Sequence, residues 1–187
     1  AREYPGVAVR FSVANREETI KQLAQNEIDL AIMGRPPREL DTSAAPFARH
    51  PLVIVAAPSH PLAGKQRIPL KRLNGEPLII REPGSGTRAS MERVFRERGA
   101  RCRASMEVSS NETIKQAVIA GLGIAFISLH TVGLELRTRS LAMLDVAGLP
   151  VMRDWFVVQL KNKRLSPVAA AFRDGLLAHG AAAIERA

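Results

Sequence analysis

Glu18-Thr19-Ile20-Lys21-Gln22 recurs unchanged as Glu112-Thr113-Ile114-Lys115-Gln116, and the flanks of the two copies match in kind. Val9-Arg10-Phe11-Ser12-Val13-Ala14-Asn15 precedes the first copy and Ala104-Ser105-Met106-Glu107-Val108-Ser109-Ser110-Asn111 the second. Both alternate as strands do and run into a polar helix start. Ile28 to Met33 follows the first copy and Leu122 to Ile127 the second, each apolar enough for a strand buried in a parallel sheet. Within the copies the apolar residues fall three and four apart, Ile20, Leu23 and Ala24 in one and Ile114, Ala117 and Val118 in the other. That is the spacing of a helix with one buried face. Glu18 stands three after Asn15 and Glu112 three after Ser109, as a capping box requires. Two similar strand-helix-strand units, with Asn15 and Asn111 at equivalent helix starts, predict a pseudo-symmetric two-lobed protein.

Between the copies, Arg81-Glu82-Pro83-Gly84-Ser85-Gly86-Thr87-Arg88 follows the apolar Pro77-Leu78-Ile79-Ile80 and leads into a helical pattern. This reads as a strand, a glycine-rich turn and a helix start. Unpaired N–H groups at a helix N-terminus, with the Ser85 and Thr87 hydroxyls, Gly86 and the Arg88 guanidinium, suit a small anion. The same dipeptides are ordinary turn formers, so the turn alone does not decide for a ligand. The stretch lacks the Gly-Lys-Ser/Thr of a nucleotide phosphate loop and the glycine spacing of a dinucleotide fold.

The remaining chain alternates strands with helices, the signature of α/β architecture with largely parallel sheets. Leu52 to Ala57, the Leu78 run, Leu141 to Val146 and Trp155 to Leu160 read as strands, and Asp41 to Ala48 as irregular. A short helix is expected over Pro69 to Gly75. A longer one runs over Thr87 to Arg98, with Met91, Val94 and Phe95 on its inner face and Gly99 ending it. Ser166-Pro167 opens the last helix, whose Val168, Ala171 and Phe172 are expected to face the core.

Composition sets the remaining bounds. The 187 residues are 46% hydrophobic and 4% aromatic, enough for one domain or two small lobes. No apolar run approaches the ~20 residues that cross a bilayer, and no leader is read before Ala1, so no membrane role is expected. The lone Cys102 cannot form an internal disulfide, which fits a reducing cytoplasm. The net charge of +9 is spread along the chain, though Arg81 to Arg103 holds seven Arg against three Glu; no aromatic interleaving or DNA-reading motif accompanies it, so the cations are read as lying on solvated helix faces, with one or two near an anionic ligand or an acidic neighbour. His50, His60, His130 and His179 stand in turns or near helix ends without metal-ligand spacing. Asp29 and Asp145 read as structural carboxylates, and no nucleophile elbow or acid pair is present. No enzyme, metal or cofactor is expected.

The succession Asp29 to Pro37, Pro51 to Ala63, Arg81 to Arg88 and Ser110 to Val118 with Ala120-Gly121-Leu122-Gly123-Ile124 resembles the effector-binding domain of LysR-type transcriptional regulators over nearly the whole chain. Within that family, Ala31 to Pro37, the Arg81 to Arg88 turn and Leu144-Asp145-Val146-Ala147-Gly148-Leu149-Pro150 are similar to the CbbR group, which regulates RuBisCO and carbon-fixation operons.

The resemblance implies a two-lobed, periplasmic-binding-protein-like (type 2) α/β fold with two crossover strands and an effector in the cleft between lobes. Lobe I would comprise 1–51 plus 158–187, and lobe II 52–157. The effector-facing positions would be Asn15, Arg35, Ser85, Gly86, Thr87, Arg88, Asn111 and Ser128. The implied effector is a small anion, a phosphorylated metabolite or a nicotinamide nucleotide. Implied partners are a second and further copies of the chain, as homodimer or homotetramer, DNA through a winged helix-turn-helix, and RNA polymerase. The family pattern would place that DNA-binding region, a linker helix and an opening strand and helix before Glu3-Tyr4-Pro5-Gly6, so the chain reads as a fragment. A solute-binding protein that feeds an anion to a transporter is the alternative.

Overall fold

A computed structural model describes residues 6–185; Glu3, Tyr4 and Pro5 of the expected opening turn lie outside them. The chain divides into two compact units, one made of the chain up to Ala48 and from Trp155 on, the other of Arg49–Asp154. The sequence places these changeovers at 51/52 and 157/158. Two strands, β2 (Thr42–Ala56) and β7 (Val151–Leu160), carry the chain from one unit into the other.

In the first unit, α1 (Arg16–Ala24) leads to the short β1 (Ala31–Met33), which pairs antiparallel with β7 through Ile32 and Val157. Its core is small: Leu23, Ala31, Met33 and Val158 are buried together. The strand expected over Val9 to Asn15 is not formed. Val9, Phe11 and Val13 are 71–87% exposed, and an alternating pattern without a neighbouring strand gains no ladder hydrogen bonds. The last helix, α5 (Pro167–Glu185), also departs from expectation. Val168 and Phe172 are exposed, and the buried position is Gly180. Gly180 is placed so that a Cβ there would stand 2.6 Å from Cδ2 of Phe47 on β2. Bare backbone lets the aromatic ring reach the helix, and that contact sets which face turns inward.

The second unit is a sheet of order β2, β5 (Ile124–Ser128), β3 (Pro77–Arg81), β4 (Arg103–Val108), with β6 (Ala142–Met143) beside β2. Strand side chains alternate between faces, and the core divides accordingly. Leu52, Ile54, Leu78, Ile80, Ile124 and Phe126 pack with Met91, Val94 and Phe95 of α2 (Gly86–Glu97). Val53, Val55, Ile79, Ala125 and Ile127 pack with Ile114, Ala117 and Val118 of α3 (Asn111–Ile119) on the other face. The inner face of α2 is the one the sequence predicts, and Gly99, at φ +61, follows its C-cap in the left-handed conformation that glycine adopts without strain.

Several expectations are corrected here. The sheet is mixed: β3 runs parallel to β4 and β5, but β2 is antiparallel to β5 and β6. Thr42 to Ala48 is strand rather than irregular; Pro46 and Pro51 donate nothing to a ladder and read as breakers, yet the strand continues through both. Only Ala142–Met143 of the run 141–146 is strand, while Val146 makes an isolated bridge to Ile68. His50, read as a turn residue, lies buried in β2.

Candidate functional site

Because β3, β4 and β5 are parallel, their C-terminal ends share one edge of the second unit, where α2 and α3 also begin. Ligands of parallel α/β sheets bind at such an edge, where helix N-termini converge. The turn from β3 into α2 is built as the sequence suggests. Gly84 takes φ +80, which residues with a Cβ rarely adopt. Ser85, buried, then caps α2 by accepting from the Arg88 N–H at 3.5 Å. Gly86 and Thr87 follow as the first two helical residues, whose N–H groups have no intrahelical acceptor.

The two arginines of the turn are committed to the protein. Arg81 donates from Nε and Nη2 to the Glu82 carboxylate at 2.7 and 2.9 Å, and from Nη1 to Asn111 Oδ1 at 2.9 Å. Arg88 donates from Nε to Glu92 at 2.8 Å and from Nη1 to Glu107 at 2.6 Å and to the Arg81 carbonyl at 3.1 Å. The hydrogen bonds from Glu92 and Glu107 raise the pKa of its guanidinium. Arg88 therefore ties the first turn of α2 to β4, and the turn is braced from both sides.

Asn111 is not the cap that the repeat predicts. Ser110 caps α3, accepting from the Thr113 N–H at 3.3 Å, and Asn111 is the first helical residue. Its side chain instead holds Arg81. In the first unit Asn15 does cap its helix, accepting from the Glu18 N–H at 3.0 Å, while Arg35 is exposed.

Beneath the start of α2 lies a polar group of residues that the sequence largely concealed. Period two along β5 puts Ser128, after Ile124 and Phe126, on the α2 face, and its register partner is Leu52. Ser128 is buried, and its Oγ makes no hydrogen bond among the described residues, a costly state for a hydroxyl. His50 is buried on the same face of β2 and stacks on His130 with ring centroids 6.3 Å apart. Burial first, then the charges of Arg153 and His130, push its pKa down to about 3, so it is neutral near pH 7. Arg153 donates from Nη1 to the Gly86 carbonyl at 3.1 Å and to Ser90 Oγ at 2.9 Å. His50 and Arg153 carry no sequence motif. Only the register of β2 against β5, which pairs Leu52 with Ser128, sets His50 two residues from Ser128's partner, and the sequence does not give a register.

The other candidates are structural. Asp29 pairs with Lys163 at 2.9 Å, and Asp145 accepts from the Arg67 N–H at 2.9 Å. Burial raises the pKa of Cys102, opposite to the thiolate that flanking arginines would favour. No group of His, Cys, Asp or Glu among the described residues could hold a metal ion, and no described helix is long and apolar enough to cross a membrane.

The LysR substrate binding domain family matches residues 1–181. The chain belongs to that family. This LysR domain is 48% identical over 180 residues to the RuBisCO operon transcriptional regulator of Allochromatium vinosum, covering 96% of the chain and 60% of that protein. It is 50% identical over 178 residues to the HTH-type transcriptional regulator CfxR of Cupriavidus necator, covering 95% of the chain and 56% of that protein. The chain thus spans under two thirds of the length of these curated relatives. Among solved structures it resembles the Synechocystis PCC6803 CcmR regulatory domain in complex with 2-PG, with a TM-score of 0.91 and 41% identity over 95% of this chain and 85% of that one. It is therefore the effector-binding domain of a LysR-type regulator, with a type 2 periplasmic-binding-protein-like fold.

Proposed function

We propose that this domain senses a small phosphorylated metabolite, and that its anionic group sits at the start of α2. The observation that carries the proposal is the likeness to the CcmR domain solved with 2-PG, which is 2-phosphoglycolate. The edge geometry supports it. The N–H groups of Gly86 and Thr87, the Thr87 hydroxyl and the helix dipole favour an anion, and the unsatisfied Ser128 hydroxyl has a bond to offer. Ser85 and Asn111 hold the corner's shape, Asn111 through Arg81. Arg88, bound to two carboxylates, enters as the residue that fixes the turn rather than as the anion's counter-charge. Asn15 and Arg35 are proposed as the effector-facing residues of the first unit, and a nicotinamide nucleotide is the second effector class to be tried.

In the whole regulator, occupancy would alter the arrangement of DNA-bound homodimers or homotetramers, and with it transcription of a CO2-fixation operon in the cytoplasm, with RNA polymerase as a further partner. The domain would turn over nothing and hold no cofactor. The relatives are named transcriptional regulators, which favours sensing over delivery of a solute to a transporter.

Calorimetric titration with 2-phosphoglycolate and with NADPH tests this. A ligand at 100 times its Kd should add about 2.7 kcal/mol of stability. Ser128→Ala and Thr87→Ala should each weaken binding about tenfold while the fold survives. Arg88→Ala should lower the urea midpoint and change affinity by no more than about threefold. If neither compound binds at millimolar concentration, the reading fails.

A further inference from the structure

The positive charge of the chain is not spread evenly. Arg49–Asp154 holds 16 Lys and Arg against 9 Asp and Glu, which is +7 of the total +9. Much of the excess gathers at the edge of the second unit opposite the proposed effector corner, where β3 and β4 begin and α2 ends. Lys71 and Arg72 lie on the 3₁₀ turn Leu70–Leu73, Arg96 on the last turn of α2 and Arg98 at its C-cap, and Arg101 and Arg103 at the entry to β4; all six are exposed.

Hydrogen bonds make these three segments one surface. The Arg101 N–H donates to Asn74 Oδ1 at 2.7 Å, and Arg103 Nη1 to the Gly75 carbonyl at 3.3 Å. Lys71 Cε lies 3.6 Å from where a Cβ on Gly99 would stand. Arg98 spans the Ala147 and Gly148 carbonyls at 2.7 and 2.9 Å. Of the six cations only Arg72 meets a carboxylate among the described residues, Glu76 at 4.0 Å. A helix C-terminus attracts cations by itself, which accounts for Arg96 and Arg98 but not for Lys71, Arg101 or Arg103.

We propose that this basic end of the second unit is a docking surface for the phosphate backbone of duplex DNA. Two features favour DNA over an acidic protein. None of the exposed large hydrophobic side chains comes from residues 70–75 or 96–103, whereas protein interfaces are anchored by apolar and aromatic side chains at their centre. Five of the six cations are arginines, whose guanidinium fork matches phosphate oxygens. The contact is independent of the effector reading. It would hold the domain against DNA flanking whatever site the remainder of a regulator recognises.

Fluorescence anisotropy of this chain with a labelled duplex of about 30 base pairs and arbitrary sequence tests the proposal. Binding should weaken steeply with salt, by close to one unit of log–log slope per phosphate engaged. Lys71→Ala, Arg96→Ala and Arg101→Ala together should cost at least tenfold in affinity at low salt and reduce that slope by about 2 to 3. None of these three side chains makes an ion pair among the described residues, and thermal melts verify that the triple variant is folded. Arg10→Ala, Lys21→Ala and Arg38→Ala, the same change in net charge on the first unit, should leave both quantities nearly unchanged. Equal losses from the two triple variants would mean that net charge alone acts and would overturn the proposal. So would binding to polyglutamate without binding to DNA, or no DNA binding at low salt.

Discussion

Single residues in this domain carry loads out of proportion to their visibility in the sequence, and His50 is the clearest case. Its pKa is about 3 in the folded chain against an ordinary 6.5. A depressed histidine pKa contributes nothing to the pH dependence above the unfolded value. As pH falls from 6.5 towards 3, the unfolded chain binds a proton that the native state refuses, and stability falls by up to about 1.4 kcal/mol per pH unit. Urea melts between pH 7 and 4.5 should show that slope, and His50→Phe should flatten it. An unchanged slope in the variant would mean that His50 is protonated while folded. Ser85 and Arg88 show the reverse relation. The sequence marked both, and the structure gives them the work of cap and tether.

At the scale of elements, what was legible followed from local chemistry and what was hidden depended on partners. Ser85 reads in the sequence as a hydroxyl for an anion and caps α2 in the structure, but the inner face of α2 and its glycine stop could both be read from spacing. So could the strand before it. The extension of β2 through Pro46 and Pro51 could not, because tolerance of a proline depends on which neighbour its missing N–H would have served. The apolar alternation of Val9, Phe11 and Val13 misled for a related reason, since it describes a strand only when something pairs with it. For α5 the pattern pointed to Val168 and Phe172, and the structure buries Gly180 against Phe47 instead. Alanine is normally the better helix former by about 1 kcal/mol. Here an added methyl would meet an aromatic ring at 2.6 Å, and overpacking costs about 1–3 kcal/mol. Gly180→Ala should therefore lower the melting temperature, and Phe47→Leu in the same chain should recover part of the loss. A Gly180→Ala variant with a raised melting temperature would show that Phe47 moves aside freely.

Across the whole molecule the two units are unequal. The second is continuous in sequence and has a core on each face of its sheet. The first is assembled from both ends of the chain around a few buried side chains and leaves Val9, Phe11, Val13 and Phe172 exposed. Local opening free energy follows buried apolar packing. Hydrogen exchange should therefore be faster in α1 and β1 than in β3, β5 and α2, and a chain that exchanges uniformly would contradict this ordering. The repeated pentapeptide foretold two units and a coarse α/β architecture, but the strand-helix-strand likeness that it implied fails in the first unit, where no strand precedes α1 among the described residues. It could not foretell that one unit would be the better packed, because that depends on residues outside the repeat.

The two copies of the pentapeptide begin one residue apart relative to their helices: Glu18 is the third residue of α1, whereas Glu112 is the second of α3. The inward faces correspond only in part: Leu23 and its counterpart Ala117 are both buried, but Ala24, expected to face the core, is exposed where Val118 is buried. An identical pentapeptide therefore fixes neither where its helix starts nor how much of it turns inward. Asn15, three before Glu18, closes its helix, whereas Asn111, one before Glu112, steadies an arginine, so one five-residue wording stands in two unlike corners.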